Sequence, residues 1–320
     1  MITTAMPVHN AQEFLLEALE SLARQTRRPD RVIVLDNCST DSTRQIAQNF
    51  QKFPVEYIRN PRDLGAFGNF NRCLDFAAET DYLQILHADD LVQPAFYETM
   101  EKLLADCDGR GLAWCLDERI DEQGRWLSVS GKADGKISVL ARDAFLACKA
   151  EIGNQAFCAT LLKTNRQPVP ERFPEEMPIV GDAVFWAKFG VHCKKIVAIN
   201  RPLAQYRWHG ANETIFRSTN IEGLIVDEWR TIGQVEALRG KPPGWLRMMK
   251  LKGLLAVRSG IKAKRFRQLG NIAYARQIAR TARGYTGWPI WLAAQFLVEL
   301  RELIVFKICR RPRHPKNVYS

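Results

Sequence analysis

The chain has 320 residues, 46% of them hydrophobic, and a formal net charge of +11, a balance that excludes a disordered or low-complexity protein and leaves room for one large domain and a smaller appendage. Eight cysteines, at 38, 73, 107, 115, 148, 158, 193 and 309, show no CxxC pair or regular spacing, which argues against a disulfide framework or zinc site and suits a reducing compartment. The start, Met1-Ile-Thr-Thr-Ala-Met-Pro7, has no basic region and no long apolar core, so no secretory signal is expected.

The opening alternates strand and helix signals, the pattern of an α/β fold with a mainly parallel sheet flanked by helices. Ile2 to Val8 reads as a first strand. Asn10 and Glu13 have the spacing of a capping box, and Phe14, Leu15, Ala18, Leu19 and Leu22 then fall at helical intervals. The β-branched run Arg31 to Leu35 ends at Asp36, with Ser39 or Thr40 placed to cap a helix through Ile46. Val55 to Ile58 is a third short strand, after which Gly65 and Gly68 interrupt the chain before a helix over Asn71 to Ala78. A fourth apolar run, Tyr82-Leu-Gln-Ile-Leu86, leads through His87 and Ala88 to Asp89 and Asp90. Beyond it the sequence predicts a helix over 96–105, a hairpin joining Ala113–Leu116 to Arg125–Trp126, an irregular stretch over 130–180, a helix over 183–189 and a strand over 195–199.

Carboxylates at the carboxyl end of a buried strand fit a metal or nucleotide site, because open α/β sheets bind ligands just past such ends. Hard cations such as Mg²⁺ or Mn²⁺ take oxygen ligands and share them with substrate phosphates, so one or two carboxylates suffice. Asp89-Asp90 is equally readable as a turn or helix cap.

Several ordered pieces resemble a known family: Met6-Pro-Val-His-Asn10; Val34-Leu-Asp-Asn-Cys-Ser-Thr-Asp41; Asn60 through Gly65 to Asn71; His87-Ala-Asp-Asp90; Gly181-Asp182; and Tyr206-Arg-Trp-His209. Together they resemble the family 2 glycosyltransferases of the GT-A fold, inverting nucleotide-sugar enzymes of bacterial polysaccharide and O-antigen synthesis. The resemblance covers about residues 1 to 212 and implies a catalytic domain over 1–220, with a nucleotide-binding half (1–95) and an acceptor-binding half (96–220). It implies that Asp36 receives the base of a UDP- or dTDP-sugar, with Pro7 and His9 lining the same pocket. It also puts Asn60, Gly65 and Asn71 along the donor, His87, Asp90 and Arg207 near its diphosphate, and Asp89 and His209 on a Mg²⁺ or Mn²⁺ ion. Asp182 aligns with the base that takes the acceptor proton; the acceptor implied is a glycan or polyprenyl-linked hydroxyl. Glu151 to Phe157, with Gly153-Asn154, resembles the loop beneath that acceptor.

Two positions depart from the family pattern. His87 stands where a first carboxylate is common, and Gly181 replaces a Glu. They leave open a relative that binds sugar nucleotide without turning it over. Gln205-Tyr-Arg-Trp208 is one residue short of the Gln-x-x-Arg-Trp of processive synthases, which argues against processive polymerisation. Pro7-Val-His-Asn10 lacks the basic residues that a nucleotidyltransferase needs for a triphosphate. Other readings stay open at single positions: Asp36 or Asp182 as a helix cap, Gly65 and Gly68 as turn residues, and His87 as a packed strand-end histidine.

Residues 221–320 hold 20 Lys and Arg against 6 Asp and Glu, whereas residues 1–220 hold 26 against 29, so all the excess positive charge lies in the last third. Over 245–283 the cations interleave with Leu, Met, Ile and Phe, which reads as basic amphipathic helices. Gly284 to Val298 is uncharged and contains Trp288, Trp291 and Phe296, but it falls short of the roughly 20 apolar residues of a membrane span. The expectation is a cytoplasmic enzyme peripheral on the anionic inner face of the cell membrane. The alternative is that these helices pack on the catalytic domain or form a homodimer interface. Nucleic acid is not the expected partner, since no zinc, helix-turn-helix or stacking-platform signature accompanies the charge.

Overall fold

Short β-branched runs separated by amphipathic helices share one sheet by pairing in parallel, and the first four strands do so. Residues 1–151, 157–177, 180–209 and 221–302 are described in the computed structural model. They fall into two units. The first comprises Met1–Phe145, Asn154–Pro178 and Phe185–His209, and the second Leu146–Gly153, Ile179–Val184 and Gly210–Ser320.

In the first unit, β1 (Ile2–Val8), β2 (Arg31–Asp36), β3 (Glu56–Arg59) and β4 (Tyr82–Ile85) lie in the order β3-β2-β1-β4, all parallel. β5 (Leu91–Val92), β6 (Gly111–Asp121), β7 (Trp126–Val129), β8 (Ile137–Val139), β9 (Thr160–Lys163) and β10 (Lys195–Trp208) extend the sheet as β4-β9-β6-β10-β5. β9 pairs antiparallel with both β4 and β6, and β7 and β8 pair with β6 and β10 outside that path. The register sets Val8 against Asp36 and Asp36 against Arg59, which brings the strand ends to one edge. Helix α1 (Leu15–Ala23) buries Leu15, Ala18, Leu19 and Leu22, the i, i+3, i+4, i+7 stripe that the sequence displays. Helices α2 (Thr43–Gln48), α3 (Gly65–Leu74) and α4 (Phe96–Leu104) follow, and α4 buries Phe96, Tyr97, Met100 and Leu104.

Local expectations fail where a side chain finds a better partner. Asn10 does not cap α1: it takes a positive φ of 50° and its Oδ1 accepts from Thr40 N at 2.8 Å, tying two loops together. Ser39 does not cap α2, whose first residue Thr43 donates instead to Asp41. Helix α3 begins at Gly65, six residues before the expected start, and Gly68 lies inside it. The stretch over 130–180 is not irregular throughout, since it supplies β8, β9 and α5 (Arg142–Ala150). The hairpin is present as β6–β7, and the helix over 183–189 is part of α6 (Asp182–Val191).

The second unit contains α7 (Ile221–Ala237), α8 (Trp245–Gln268), α9 (Ile272–Thr286) and α10 (Trp288–Glu302). Ile225, Leu255, Ala256, Ala263, Ile278, Ala282, Trp291 and Ala294 form its core. Buried acids on α7 receive the cations of α8: Glu228 pairs with Arg258 at 3.0 Å and Lys262 at 2.7 Å, and Glu236 with Arg247 at 2.9 Å. Part of the basic stripe is therefore internal.

Gly190 on α6 leaves no room for a side chain, because a Cβ there would collide with Phe145 Cε1. Gly190→Ala is expected to lower stability by about 1–3 kcal/mol through overpacking. Gly233→Ala, in a helix with open space around the site, should raise it by up to about 1 kcal/mol. Urea midpoints of both variants check this; equal effects would remove the packing argument.

Candidate active site

Asp36 ends β2 and is fully buried. Its Oδ1 accepts from Ser39 N at 2.9 Å and from the Ser39 hydroxyl, and its Oδ2 from the Tyr57 hydroxyl at 2.5 Å and Arg59 Nη1 at 2.6 Å. A carboxylate offers about four acceptor positions, so all are engaged inside the protein. A nucleobase imide would therefore have to displace a donor, and Arg59, with its side chain 43% exposed, is the one free to leave. Burial pushes the Asp36 carboxyl up, but the Ser39 and Tyr57 hydrogen bonds and the Arg59 charge outweigh it and hold it low. Around this corner, Pro7 is buried in β1 and pairs with Leu35, and exposed His9 sets Nδ1 2.7 Å from Asn37 O. Asn60 donates to Asn37 Oδ1 and Asn69 Oδ1 at 3.0 and 2.9 Å. Gly65 opens α3 with a φ of 69°, and Asn71 exchanges both amide bonds with Phe173, donating at 3.1 Å and accepting at 2.8 Å.

The second corner follows β4. Antiparallel pairing of Gln205 with Leu91 continues the register so that Arg207 meets the Asp89–Asp90 turn. Arg207 N donates to Asp90 Oδ1 at 3.0 Å and Arg207 Nε to Asp89 O at 3.0 Å. The rest of the guanidinium donates to Asp121 O at 3.3 Å, Glu122 O at 3.1 Å and Glu17 Oε2 at 2.5 Å, and it lies 4.8 Å from the centre of the Phe14 ring. Arg207 is 1% exposed and engaged by protein groups, so its charge shapes the turn from within. Two residues on, His209 Nε2 sits 2.9 Å from Asp89 Oδ2 with its ring against Phe14.

One ligand atom each from His87, Asp89 and Asp90 lie within 4.8 Å of one another. Buried His87 Nε2 and Asp90 Oδ2 have no hydrogen-bond partner among the described residues. The Asp89 carboxyl is pushed up by burial but held below its usual range by His209 and His87. The Asp90 carboxyl is driven well above that range, first by burial and then by the Asp89 charge. Burial likewise lowers His87, whose ring stacks on Phe70 and tilts against Phe157. The set fits a divalent cation: two buried acceptors lack hydrogen-bond partners among the described residues, and an ion would offset the repulsion between Asp89 and Asp90. Asp89, His209, Asp90, His87 and Arg207 are thus brought together as the sequence places them. Glu17 and Phe70 were not singled out there, and Phe14 was read only as part of a helical stripe and Phe157 only as the end of an acceptor-side loop, since nothing in their spacing points to this corner.

Asp182 lies in the second unit. It opens α6 and its Oδ1 accepts from Ala183 N at 2.9 Å. Lys149 of the same unit is fully buried, and burial brings its amine down to about 8 against the raising charges of Cys148 and Asp182. Gly153 and Asn154 lie outside the described residues.

The sheet order and the strand-end cluster define a GT-A fold, shared with the Staphylococcus aureus protein TarS, solved in complex with UDP-GlcNAc. That structure superposes with a TM-score of 0.55 at 14% identity over 88% of this chain and 91% of the other. Within this fold, residues 3–144 match the model described as Glycosyl transferase family 2. In sequence, TarS, a poly(ribitol-phosphate) beta-N-acetylglucosaminyltransferase, is 24% identical over 61% of this chain and 33% of its own length. Galactofuranosyltransferase GlfT1 of Mycolicibacterium smegmatis is 28% identical over 35% of this chain and 37% of its own. A mannosyltransferase from Pyrobaculum calidifontis, solved with GDP-Man and Mn²⁺, gives a TM-score of 0.54 at 16% identity over 97% of this chain and 81% of the other. The chain spans only about a third of the length of these sequence relatives.

Asp36 generates a pH prediction. Its folded carboxyl is depressed, so its contacts contribute fully above the unfolded value of about 3.9 and are lost as the pH falls towards the folded value. Asp36→Asn should cost about 1–3 kcal/mol at pH 7, and the gap to the parent should narrow below about pH 4. Denaturant melts across pH 3–7 measure it; a gap independent of pH would show that the charge is not what matters.

Proposed function

We propose that the chain is an inverting glycosyltransferase that moves a sugar from a UDP- or dTDP-linked donor to a hydroxyl of a glycan or polyprenyl-linked acceptor. What carries the reading is the His87–Asp89–Asp90–His209 cluster at a strand end of a domain of this family. Asp36, with Arg59 swung aside, accepts the imide N–H of uracil or thymine. Asn60, Asn71 and Gly65 shape the donor-side loop, and Pro7 and His9 line the base pocket. Asp89 and His209, with Asp90 and His87 beside them, would hold Mg²⁺ or Mn²⁺, and the ion would compensate charge on the departing diphosphate. Arg207 contributes by fixing the turn that presents Asp89. Asp182 takes the proton of the acceptor hydroxyl as its oxygen bonds to the anomeric carbon and the bond to the diphosphate oxygen breaks on the opposite face. The inverted product and the nucleoside diphosphate leave.

The relatives support a place in bacterial cell-surface polysaccharide synthesis, since TarS is named for a poly(ribitol-phosphate) acceptor. A polyprenyl-linked acceptor is met at the cytoplasmic face of the membrane, so the reading includes peripheral attachment there. The second reading, a relative that binds the donor without turnover, is favoured by His87 and Gly181 at positions where acids are common.

Thermal shift with nucleoside diphosphates should show stabilisation by UDP or dTDP that grows with Mn²⁺. Asp89→Asn should abolish the metal-dependent part. Stabilisation by none of the nucleotides would sink the assignment. Asp182→Asn should keep donor binding and lose transfer by about 10²–10⁴-fold. Unchanged transfer would remove Asp182 as the base, and a parent chain that binds donor but never transfers would favour the second reading.

A further inference from the structure

Helix α10 is apolar on both sides. Trp291, Ala294 and Val298 are buried, while Trp288, Leu292, Phe296, Leu297 and Leu300 face outward, Phe296 at 67% exposure and Trp288 at 59%. Trp288, Leu292 and Phe296 recur every fourth residue and so form one ridge along the helix. Its one charged side chain among those described is Glu299, which pairs with Lys264 at 2.5 Å. A helix apolar all round is ordinarily covered, and an exposed apolar ridge marks an interaction surface. At fifteen residues, α10 is too short to cross a bilayer, and no helix among the described residues is long and apolar enough to do so.

Charge decides what covers the ridge. Between residues 237 and 298 there are 13 Lys and Arg and no Asp or Glu. Arg276, Arg280 and Arg283 fall at i, i+4 and i+7 on one face of α9, and the Arg283 guanidinium lies 4.2 Å from the centre of the Trp288 ring. That contact sets the cationic face of α9 at the start of the α10 ridge. Exposed Arg276 and Arg280 make no ion pair among the described residues. A second copy docked ridge to ridge would bring like charges together, and nucleic acid offers no apolar phase for the ridge. An anionic bilayer answers both features, taking tryptophan and aliphatic side chains at the headgroup level and cations at lipid phosphates.

We propose that α10 docks the chain on an anionic lipid bilayer, with Trp288, Leu292 and Phe296 in the headgroup–acyl boundary and Arg276 and Arg280 on lipid phosphates. None of these residues is among those proposed for glycosyl transfer, and the test does not depend on catalysis. The full chain should float with vesicles of phosphatidylcholine and phosphatidylglycerol, not with phosphatidylcholine alone, and less in 0.5 M salt. The double variant Leu292→Glu, Phe296→Glu should bind these vesicles about tenfold or more weakly. Both positions are exposed, so its thermal melt should match the parent's. Trp288→Phe should still float, but fluorescence quenching by brominated lipid should drop. Failure of the parent to float, equal flotation of the double variant, or quenching unchanged in Trp288→Phe would overturn the proposal. So would a dimer of the parent that the double variant dissolves without any vesicle binding, or retardation of DNA at 0.15 M salt without flotation.

Discussion

A buried guanidinium holds the strand-end corner together. Arg207 reaches Glu17 on α1, the carbonyl of Asp89, the carbonyls of Asp121 and Glu122 after β6, and through its own N–H the carboxyl of Asp90. Four chain segments, far apart in sequence, therefore share one charge. A buried cation is tolerated only when its donors are matched, so the arrangement cannot relax in one segment without leaving the others unpaired. Arginine suits this better than lysine, because its planar fork can address several acceptors at fixed angles. The consequence at the surface is the orientation of the turn: with Asp89 O and Asp90 Oδ1 both held, the Asp89 side chain is directed to His209.

Extended backbone repeats its facing every second residue, and this converts the Arg207 anchor into a site. Arg207 points inward and fixes the turn; His209, two positions on, meets Asp89 Oδ2 on the same side. The Phe14 ring lies against both the Arg207 guanidinium and the His209 ring, 4.8 Å from each, which links the start of α1 to the same pair. Electrostatics then separates two adjacent acids. Asp89 has a histidine partner and stays low, whereas Asp90, buried with one unpartnered oxygen beside the Cys158 thiol, is pushed up. The pair can gain a second full negative charge when a cation arrives to share it.

What the sequence made legible follows from periodicity. β1, β2 and β4 are apolar runs of the right length, α1 shows its stripe, and Asp36 ends one strand while Asp89 and Asp90 follow another within a few residues. What it concealed depends on contacts distant in sequence. β9 is only Thr160-Leu-Leu-Lys163, too short for a signal, yet it pairs with both β4 and β6. The four bonds that fill the Asp36 carboxylate come from a loop and from β3, which no local spacing announces. Asn10 and Asn71 were read from motif position, but their amides join loops to each other and α3 to Phe173. Arg207 could be placed near the diphosphate by its neighbours in sequence; that its guanidinium is engaged within the protein required the positions of α1 and the β6–β7 turn.

His87 shows why a departure from a family pattern need not remove the chemistry. Its ring packs against both Phe70 and Phe157, 4.8 and 4.7 Å between centroids, and burial there disfavours the imidazolium. A carboxylate in the same aromatic surround would face a similar cost of burial and would add its repulsion to Asp89 and Asp90. With imidazole instead, that added repulsion is absent. Position 87 thus leaves Asp89, paired with His209 and set in the turn that Arg207 fixes, as the acid held lowest at this corner.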